Sequence, residues 1–302
     1  MTLPLDWFKR LPSPQGLAAG LITANIQRLT GTRDTRMAYA QPLGDPGLFG
    51  PASMVWRVHR QFLATMAGGM SSLLLQSLHP QALAAVWDHS RLQTDLRGRL
   101  GRTASFIATT TYGPTHMAEA VIAHVNAIHG RIEGHGPDGL PYRANDPALL
   151  MWVHVAEVHA FVQAHQWLVH TPLSPREVDT YVSEMALVAE RLGVQDPPRD
   201  WTRLTQVLAS HQVDLRFDER AATVHRLLLN FPVNGWERPL MQALLAAAQD
   251  LLPHWVWPIL QQTPAPAWRR QCQRRVIQSA ALGIQWALER EGVSAFAARR
   301  LA

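Results

Sequence analysis

Apolar residues recur at every third or fourth position along most of the chain, which is the period of an amphipathic helix. Two segments also carry strong helix-start signals. Pro147 follows Asp146, and Ser174 and Glu177 have the spacing of a capping box with proline at the first helical position. The segment THMAEAVIAHVNAIHG places five apolar residues on one helix face: Met117, Val121, Ile122, Val125 and Ile128.

Further helical patterns cover roughly residues 52–78, 198–210, 237–252 and 270–290, and alternating strand patterns are nearly absent. The stretches between them, such as GRIEGHGPDGLPYRANDP, have the glycine and proline content of loops. None is long or polar enough to be a flexible linker between domains. The pattern therefore predicts an all-α fold in a single large helical domain.

Composition agrees with a large buried core, because 47% of the 302 residues are hydrophobic and only 17% are charged. The single cysteine, Cys272, excludes a disulfide within the chain, a CxxCH haem-attachment site and a thiolate zinc site. The formal charge of +5 comes from dispersed arginines, with Lys9 as the only lysine, so the sequence does not predict a nucleic-acid partner.

The sequence shows no uninterrupted apolar segment of membrane-spanning length and no signal peptide, which predicts a soluble, cytoplasmic protein. The motifs of several enzyme classes are missing as well. HExxH and ExxH are absent, and so are GxSxG, GxxxxGK[ST] and a GxGxxG that follows a predicted strand. The sequence remains compatible with a cofactor that needs few protein ligands, and haem is such a cofactor.

Fourteen histidines are many for this length, and three of them fall on apolar helix faces: His129, His154 and His165. His116 points to the opposite side of its helix. A single histidine on an apolar face is more often structural than a ligand, but several on facing helices favour a polar or metal-bearing pocket. His154 and Glu157 share a face, yet they are too few ligands for a non-haem iron site.

The stretch RLGRTASFIATTTYG adds polar residues to this pocket. On a helix, Arg99, Thr103, Phe106 and Thr110 lie along one stripe, which places a cation and hydroxyl groups beside an aromatic ring. We therefore expect Arg99 to Thr103, His129 and His154 to converge on one buried cofactor or ligand pocket.

Ordered blocks between Val55 and Met185 resemble one large bacterial and fungal family. The blocks include VWRVHRQFLATMAGGMSSLLLQSLHP, VWDHS, RLGRT, TTTYG, IHGRIEG, YRANDPALLMWVH and LSPREVDTYVSEM. The family includes the rubber oxygenase, or latex clearing protein, and the oxygenase that cuts the prenyl chain in mycophenolic acid biosynthesis. The resemblance covers roughly residues 50–245. It implies an all-helical fold that holds a b-type haem and uses dioxygen to cleave isoprenoid double bonds.

The resemblance also implies site residues. Rubber oxygenases carry an Arg-x-x-Lys-Thr segment that matches Arg99, Arg102 and Thr103, and their iron ligand matches His129. Arg102 and Thr103 would be catalytic, Arg99 would contact the cofactor, and His129 would ligate the metal. His154 is added to the cofactor-binding residues because its helix face places it in the same pocket. Arginine replaces the distal lysine here, and for the distal acid the chain offers only two candidates: Asp88 and Asp95.

The expected organisation is an N-terminal helical arm over residues 1–49, an oxygenase-like catalytic domain over 50–245, and C-terminal helices over 246–302 that pack on the same domain. The expected substrate is a small lipophilic or isoprenoid molecule together with dioxygen. Two other functions stay open on the sequence alone. One is a haem-binding sensor or carrier without chemistry, and the other is a haem-free helical protein that binds a lipophilic ligand.

Overall fold

The computed structural model describes residues 36–232, 235 and 238–302, and it confirms the all-α prediction. The first 35 residues of the predicted N-terminal arm lie outside the described part of the chain. The remainder of the arm begins with a short 3₁₀ helix, Arg36–Ala40. The α-helices are α1 (Met54–His59), α2 (Phe62–Gln76), α3 (Pro80–His89), α4 (Leu96–Tyr112), α5 (Thr115–His129), α6 (Pro147–Leu168), α7 (Pro175–Arg191), α8 (Trp201–Ser210), α9 (Glu219–Leu229), α10 (Arg238–Asp250), α11 (Val256–Leu260), α12 (Ala267–Glu291) and α13 (Val293–Arg300).

One predicted loop contains regular structure. Strands β1 (Glu133–His135) and β2 (Pro141–Arg143) form a small antiparallel hairpin within the glycine-rich stretch after α5. The turn between them contains Gly139, whose φ of 79° lies in the left-handed region, and Asp138, whose carboxylate accepts from the Leu140 backbone N–H at 3.1 Å. These turn residues close the hairpin, and strands of three residues are too short to show an alternating pattern.

The core is built around α6, which is apolar on nearly every side and packs along α2. Its start is the predicted one: the Asp146 side chain accepts from the Ala148 backbone N–H, and Pro147 occupies the first turn. The capping box at Ser174 and Glu177 is also present at the start of α7. Both starts depend on hydrogen bonds between near neighbours, which is why a local sequence pattern predicts them.

Helices α2 and α6 pack tightly at Gly68, where an added Cβ would lie 2.8 Å from Phe161 Cδ1 and 3.1 Å from the Ala160 carbonyl oxygen. At the neighbouring Gly69, the nearest atom would be 3.9 Å away. We expect Gly68→Ala to lower the free energy of unfolding by about 1–3 kcal/mol through overpacking. Gly69→Ala should leave it unchanged or raise it by up to about 1 kcal/mol, because alanine favours helix. Urea unfolding of both variants tests this, and equal effects would contradict the packing described here.

Helices α4 and α5 form a hairpin that packs mainly on itself. Asp95 caps α4 by accepting from the Gly98 backbone N–H at 2.8 Å, and α5 begins directly after Gly113 and Pro114. The hairpin brings the C-terminal end of α5, and with it His129, back towards α6.

The C-terminal helices pack against the helices of the core. Helix α10 packs on α2, and α12 packs on α10. Arg300 in α13 is buried and donates to the Asp45 and Tyr39 carbonyl oxygens, both at 2.7 Å, which fixes the end of the chain against the segment before α1. The division predicted at residue 245 falls inside α10.

Candidate functional site

A cavity of about 80 Å³ lies between α4, α5, α6 and α7. Most of its wall is apolar, and the apolar residues include Phe106 and Ile107 of α4 and Met185 and Val188 of α7. The polar side chains in the wall are His59, Thr110, Thr111, His129, His154 and Glu157. A cavity with apolar walls and a few convergent polar groups is the usual form of a ligand site.

His129 is the last residue of α5 and lines the cavity. Its Nδ1 atom is buried and has no hydrogen-bond partner. Burial lowers the pKa of the His129 imidazole, and the positive charge of nearby Arg99 lowers it further. The ring is therefore neutral near pH 7 and retains a lone pair, which is the state that a metal ligand requires.

His154 and Glu157 lie one turn apart on α6, and both line the cavity as their shared face predicted. The Nε2 atom of His154 is buried without a partner, and burial lowers the pKa of this imidazole to about 4. Burial alone raises the pKa of the Glu157 carboxyl to about 7. A carboxyl group with this pKa is able both to give and to accept a proton at neutral pH.

His59 also lines the cavity, although the sequence did not single it out. Both of its ring nitrogens have partners: Nδ1 is 2.7 Å from Thr111 Oγ1, and Nε2 is 2.9 Å from the Tyr181 hydroxyl. Burial lowers the pKa of His59 to about 3. His59 therefore joins three helices as a neutral structural group, and it differs in this respect from His129 and His154.

The prediction for α4 is correct at one end of the helix and wrong at the other. Phe106 and Thr110 line the cavity, but Arg102 and Thr103 are exposed, and 64% of the Arg102 side chain is accessible to solvent. The physical reason is position along the helix, since the cavity lies against residues 106–111 and Arg102 and Thr103 precede it by one turn.

Arg99 is half-buried and close enough to His129 to lower the pKa of its imidazole. Within the described ranges, no carboxylate lies within 4.0 Å of its guanidinium, whereas Arg102 lies 3.6 Å from Asp95. Burial and the charge of Arg102 lower the pKa of Arg99, but an arginine remains protonated at neutral pH. Arg99 is therefore a partly desolvated cation without a described counter-ion beside the cavity.

The two candidate acids have other partners. The Asp88 carboxylate accepts from the Tyr142 hydroxyl at 3.0 Å and from Arg220 at 3.3 Å. Asp95 caps α4. Neither residue lines the cavity, and the carboxyl group that does is Glu157.

Of the remaining histidines, His165 is buried as predicted but lies outside the cavity wall, and His116 is exposed as predicted. The periodicity of the sequence therefore predicted burial correctly for His154 and His165. It did not indicate which buried imidazole would meet the cavity.

The sequence of this chain matches one known protein family over most of its length. Residues 56–286 match the family described as "ER-bound oxygenase mpaB/B'/Rubber oxygenase, catalytic domain". The chain belongs to this oxygenase family. The match extends beyond residue 245 and includes α10, α11 and most of α12. No curated protein and no solved structure gave a significant match. Among the described helices, none combines the length and apolar character needed to cross a membrane.

Proposed function

We propose that this protein is a haem b-dependent oxygenase that uses dioxygen to oxidise or cleave a small unsaturated, isoprenoid-like substrate. Membership of the oxygenase family supports the reaction class. The observation that carries the choice of cofactor is the buried, unpartnered Nδ1 of His129 in an apolar cavity. A buried nitrogen without a partner is costly unless a ligand occupies it in the working protein.

The donor set fits haem in three respects. His129 offers one imidazole nitrogen to the iron, the apolar wall suits the macrocycle, and the Arg99 guanidinium suits a propionate. A mononuclear non-haem site fits less well, because His129, His154 and Glu157 are not among the described groups whose ligand atoms lie within 4.8 Å of one another.

The volume of the cavity determines whether a haem could enter without movement of the helices. A cavity of about 80 Å³ is smaller than typical cofactor pockets of about 300–1,000 Å³. A macrocycle therefore requires the wall to move, and the α4–α5 hairpin is the part of the wall with the fewest contacts to other helices. Outward displacement of this hairpin would carry His129 with it while α6 keeps its place in the core.

The residues of the chain would then have distinct roles. A bound haem would supply the iron at which dioxygen is activated. His129 would hold the iron, Arg99 would neutralise a propionate, and the apolar wall would exclude water. Glu157 would give or accept a proton at its carboxyl group, and His154 would orient the substrate or dioxygen through a hydrogen bond from its neutral ring.

The catalytic roles expected for Arg102 and Thr103 remain part of the proposal, although both residues lie one helical turn outside the cavity. Arg99 is the alternative cation for contact with the cofactor, because it lies closer to His129. Arg99→Ala should weaken haem affinity about ten- to a hundredfold, since it removes a charge-assisted pair worth about 1.5–3 kcal/mol. Arg102→Ala should leave haem affinity unchanged. Spectrophotometric haem titration measures both, and the reverse order of effects would move the cofactor contact from Arg99 to Arg102.

The reaction class is tested by oxygen uptake. Haem-loaded protein is mixed with a panel of unsaturated terpenoids while dissolved oxygen and carbonyl products are measured. Substrate-dependent oxygen consumption with a carbonyl product supports the oxygenase. Haem binding without oxygen consumption across the panel would indicate a sensor or carrier instead.

The small volume of the cavity favours one second candidate, a haem-free protein that binds a compact lipophilic ligand. This function requires neither iron nor movement of α5. A protein that stays colourless after haem is supplied, yet is stabilised by small apolar molecules, would indicate this second function.

A further inference from the structure

We propose that His79, His211 and Asp214 form a second metal site, outside the cavity, that takes a divalent transition-metal ion of the zinc class. One ligand atom from each side chain lies within 4.8 Å of the others. None of the three residues lines the cavity, so the site is independent of the proposed haem. Nothing in the family match assigns a role to it.

The three ligands come from two segments that are far apart in the sequence. His79 lies between α2 and α3, immediately before Pro80. His211 and Asp214 are the first and last residues of a 3₁₀ helix that follows α8, so the three-residue spacing puts both side chains on one side of a single turn. The His211 Nδ1 atom is 4.0 Å from an Asp214 carboxylate oxygen.

The two segments are held together without an ion. The Arg216 backbone N–H donates to the Leu78 carbonyl oxygen at 2.8 Å, next to both halves of the site. The Trp152 ring contacts both imidazoles, with centroid distances of 6.0 Å to His79 and 5.3 Å to His211. The ligands are therefore positioned by the fold, which lowers the entropy cost of binding an ion.

The burial and missing hydrogen bond of the His79 imidazole independently indicate that this site binds a ligand. Its side chain is only 7% exposed, and its Nδ1 atom is buried with no hydrogen-bond partner. A buried ring nitrogen that lacks a partner loses its hydration without compensation. A metal ion among the three side chains would provide that partner.

The donor set selects the metal. Two imidazoles and one carboxylate form a three-ligand set that suits zinc, whereas magnesium and calcium prefer oxygen ligands alone. Ligand atoms on tetrahedral zinc are about 3.3 Å apart at bond lengths of about 2.0–2.1 Å, so the site must contract on binding. The Asp214 side chain is 53% exposed, and its inward rotation would supply this contraction, with water in the fourth position.

The consequence of binding would be structural. An ion in this position would join the turn between α2 and α3 to the connection between α8 and α9. It would also fix the surroundings of Trp152, which lies two residues before His154 on α6. The proposed role is therefore to stabilise this side of the core, with no part in the oxygenase reaction.

The test uses the full chain without a polyhistidine tag, stripped with EDTA and dialysed against a small excess of zinc chloride. Elemental analysis counts zinc and iron separately, so failure of the haem proposal leaves this result readable. We expect one zinc per chain and a rise in the melting temperature of about 4 °C at a hundredfold excess over Kd.

Two variants on the 3₁₀ helix, where the side chain of His211 is 15% exposed and that of Asp214 53%, leave the buried His79 unchanged. His211→Ala and Asp214→Asn should each weaken zinc binding by about a hundredfold or more and abolish the melting shift. His116→Ala, on an exposed face of α5, should bind zinc as the wild type does. Absence of bound zinc in the wild type, or equal zinc binding by all three variants, would overturn the proposal.

Discussion

Lowering the pH from 7 to 5 is expected to destabilise the haem-free protein by several kcal/mol. Six histidines are buried in the fold, and burial lowers the pKa most strongly for four of them: His59, His154, His159 and His165. Burial lowers the pKa of His59 to about 3 and the pKa of each of the other three to about 4. In the unfolded chain the same imidazoles have a pKa of about 6.5.

The direction of the pH dependence follows from the number of protons bound by the folded and unfolded states. Below pH 6.5 the unfolded chain binds more protons than the folded protein, so stability is present above that pH and is lost as the pH falls towards 4. Each histidine contributes a slope of about 1.4 kcal/mol per pH unit, or about 2 kcal/mol between pH 6.5 and 5. The sum is comparable to the total stability of a typical domain.

Urea unfolding at a series of pH values measures this slope. His159→Phe is a suitable variant, because His159 stacks on Trp201 at 5.3 Å and phenylalanine keeps the aromatic contact without titrating. It should reduce the slope by about 1.4 kcal/mol per pH unit, while the exposed His116→Ala should not change it. A free energy of unfolding that is constant from pH 7 to pH 5 would show that these imidazoles are not buried as described.

Replacing Glu157 with glutamine is expected to stabilise the haem-free protein and to impair turnover. Burial raises the pKa of this carboxyl to about 7 in the fold, above the value of about 4.5 for the isolated group. The folded protein therefore holds the extra proton between these values, and stability is lost as the pH rises from about 4.5 to 7. At pH 8 the ionised carboxylate costs about 3 kcal/mol.

Glu157→Gln removes this cost while keeping the shape of the side chain, so the free energy of unfolding at pH 8 should rise by up to about 3 kcal/mol. If Glu157 moves a proton during the reaction, turnover should fall by about a hundredfold or more. Glu133→Gln, on the exposed hairpin, should change neither quantity. Stabilisation with full activity would remove Glu157 from the mechanism and leave it as a buried acid.

The sequence predicted the helices well where their signals are local. The Asp146-Pro147 start and the Ser174 capping box depend on groups within three residues of each other, and both form as expected. The β1–β2 hairpin was missed because its strands are three residues long and its turn residues resemble any glycine-rich loop.

The site was predicted less completely. Helical periodicity placed His154 and Glu157 on one face, and both meet the cavity. Periodicity gives the direction of a side chain around the helix, but it does not say which turns are covered by a distant element. Arg102 and Thr103 were therefore misplaced by one turn, and Arg99 is the cation nearer the cavity.

The proposed second metal site could not be predicted from the sequence, because it too depends on contacts between distant segments. His211 and Asp214 have a visible three-residue spacing, but His79 joins them only through the packing of two connections between helices. A histidine and an aspartate three residues apart are common in proteins, and only a third ligand makes such a pair a candidate metal site.

The absorption spectrum of purified protein titrated with haem tests whether His129 holds a haem iron. Wild type and His116→Ala should both develop the same Soret band at one haem per chain, and His129→Ala should lose the band or shift it. His116 is the matched control because it lies on the same helix and is exposed. Identical Soret bands for His129→Ala and wild type, or no haem uptake by the wild type, would show that His129 does not hold a haem iron.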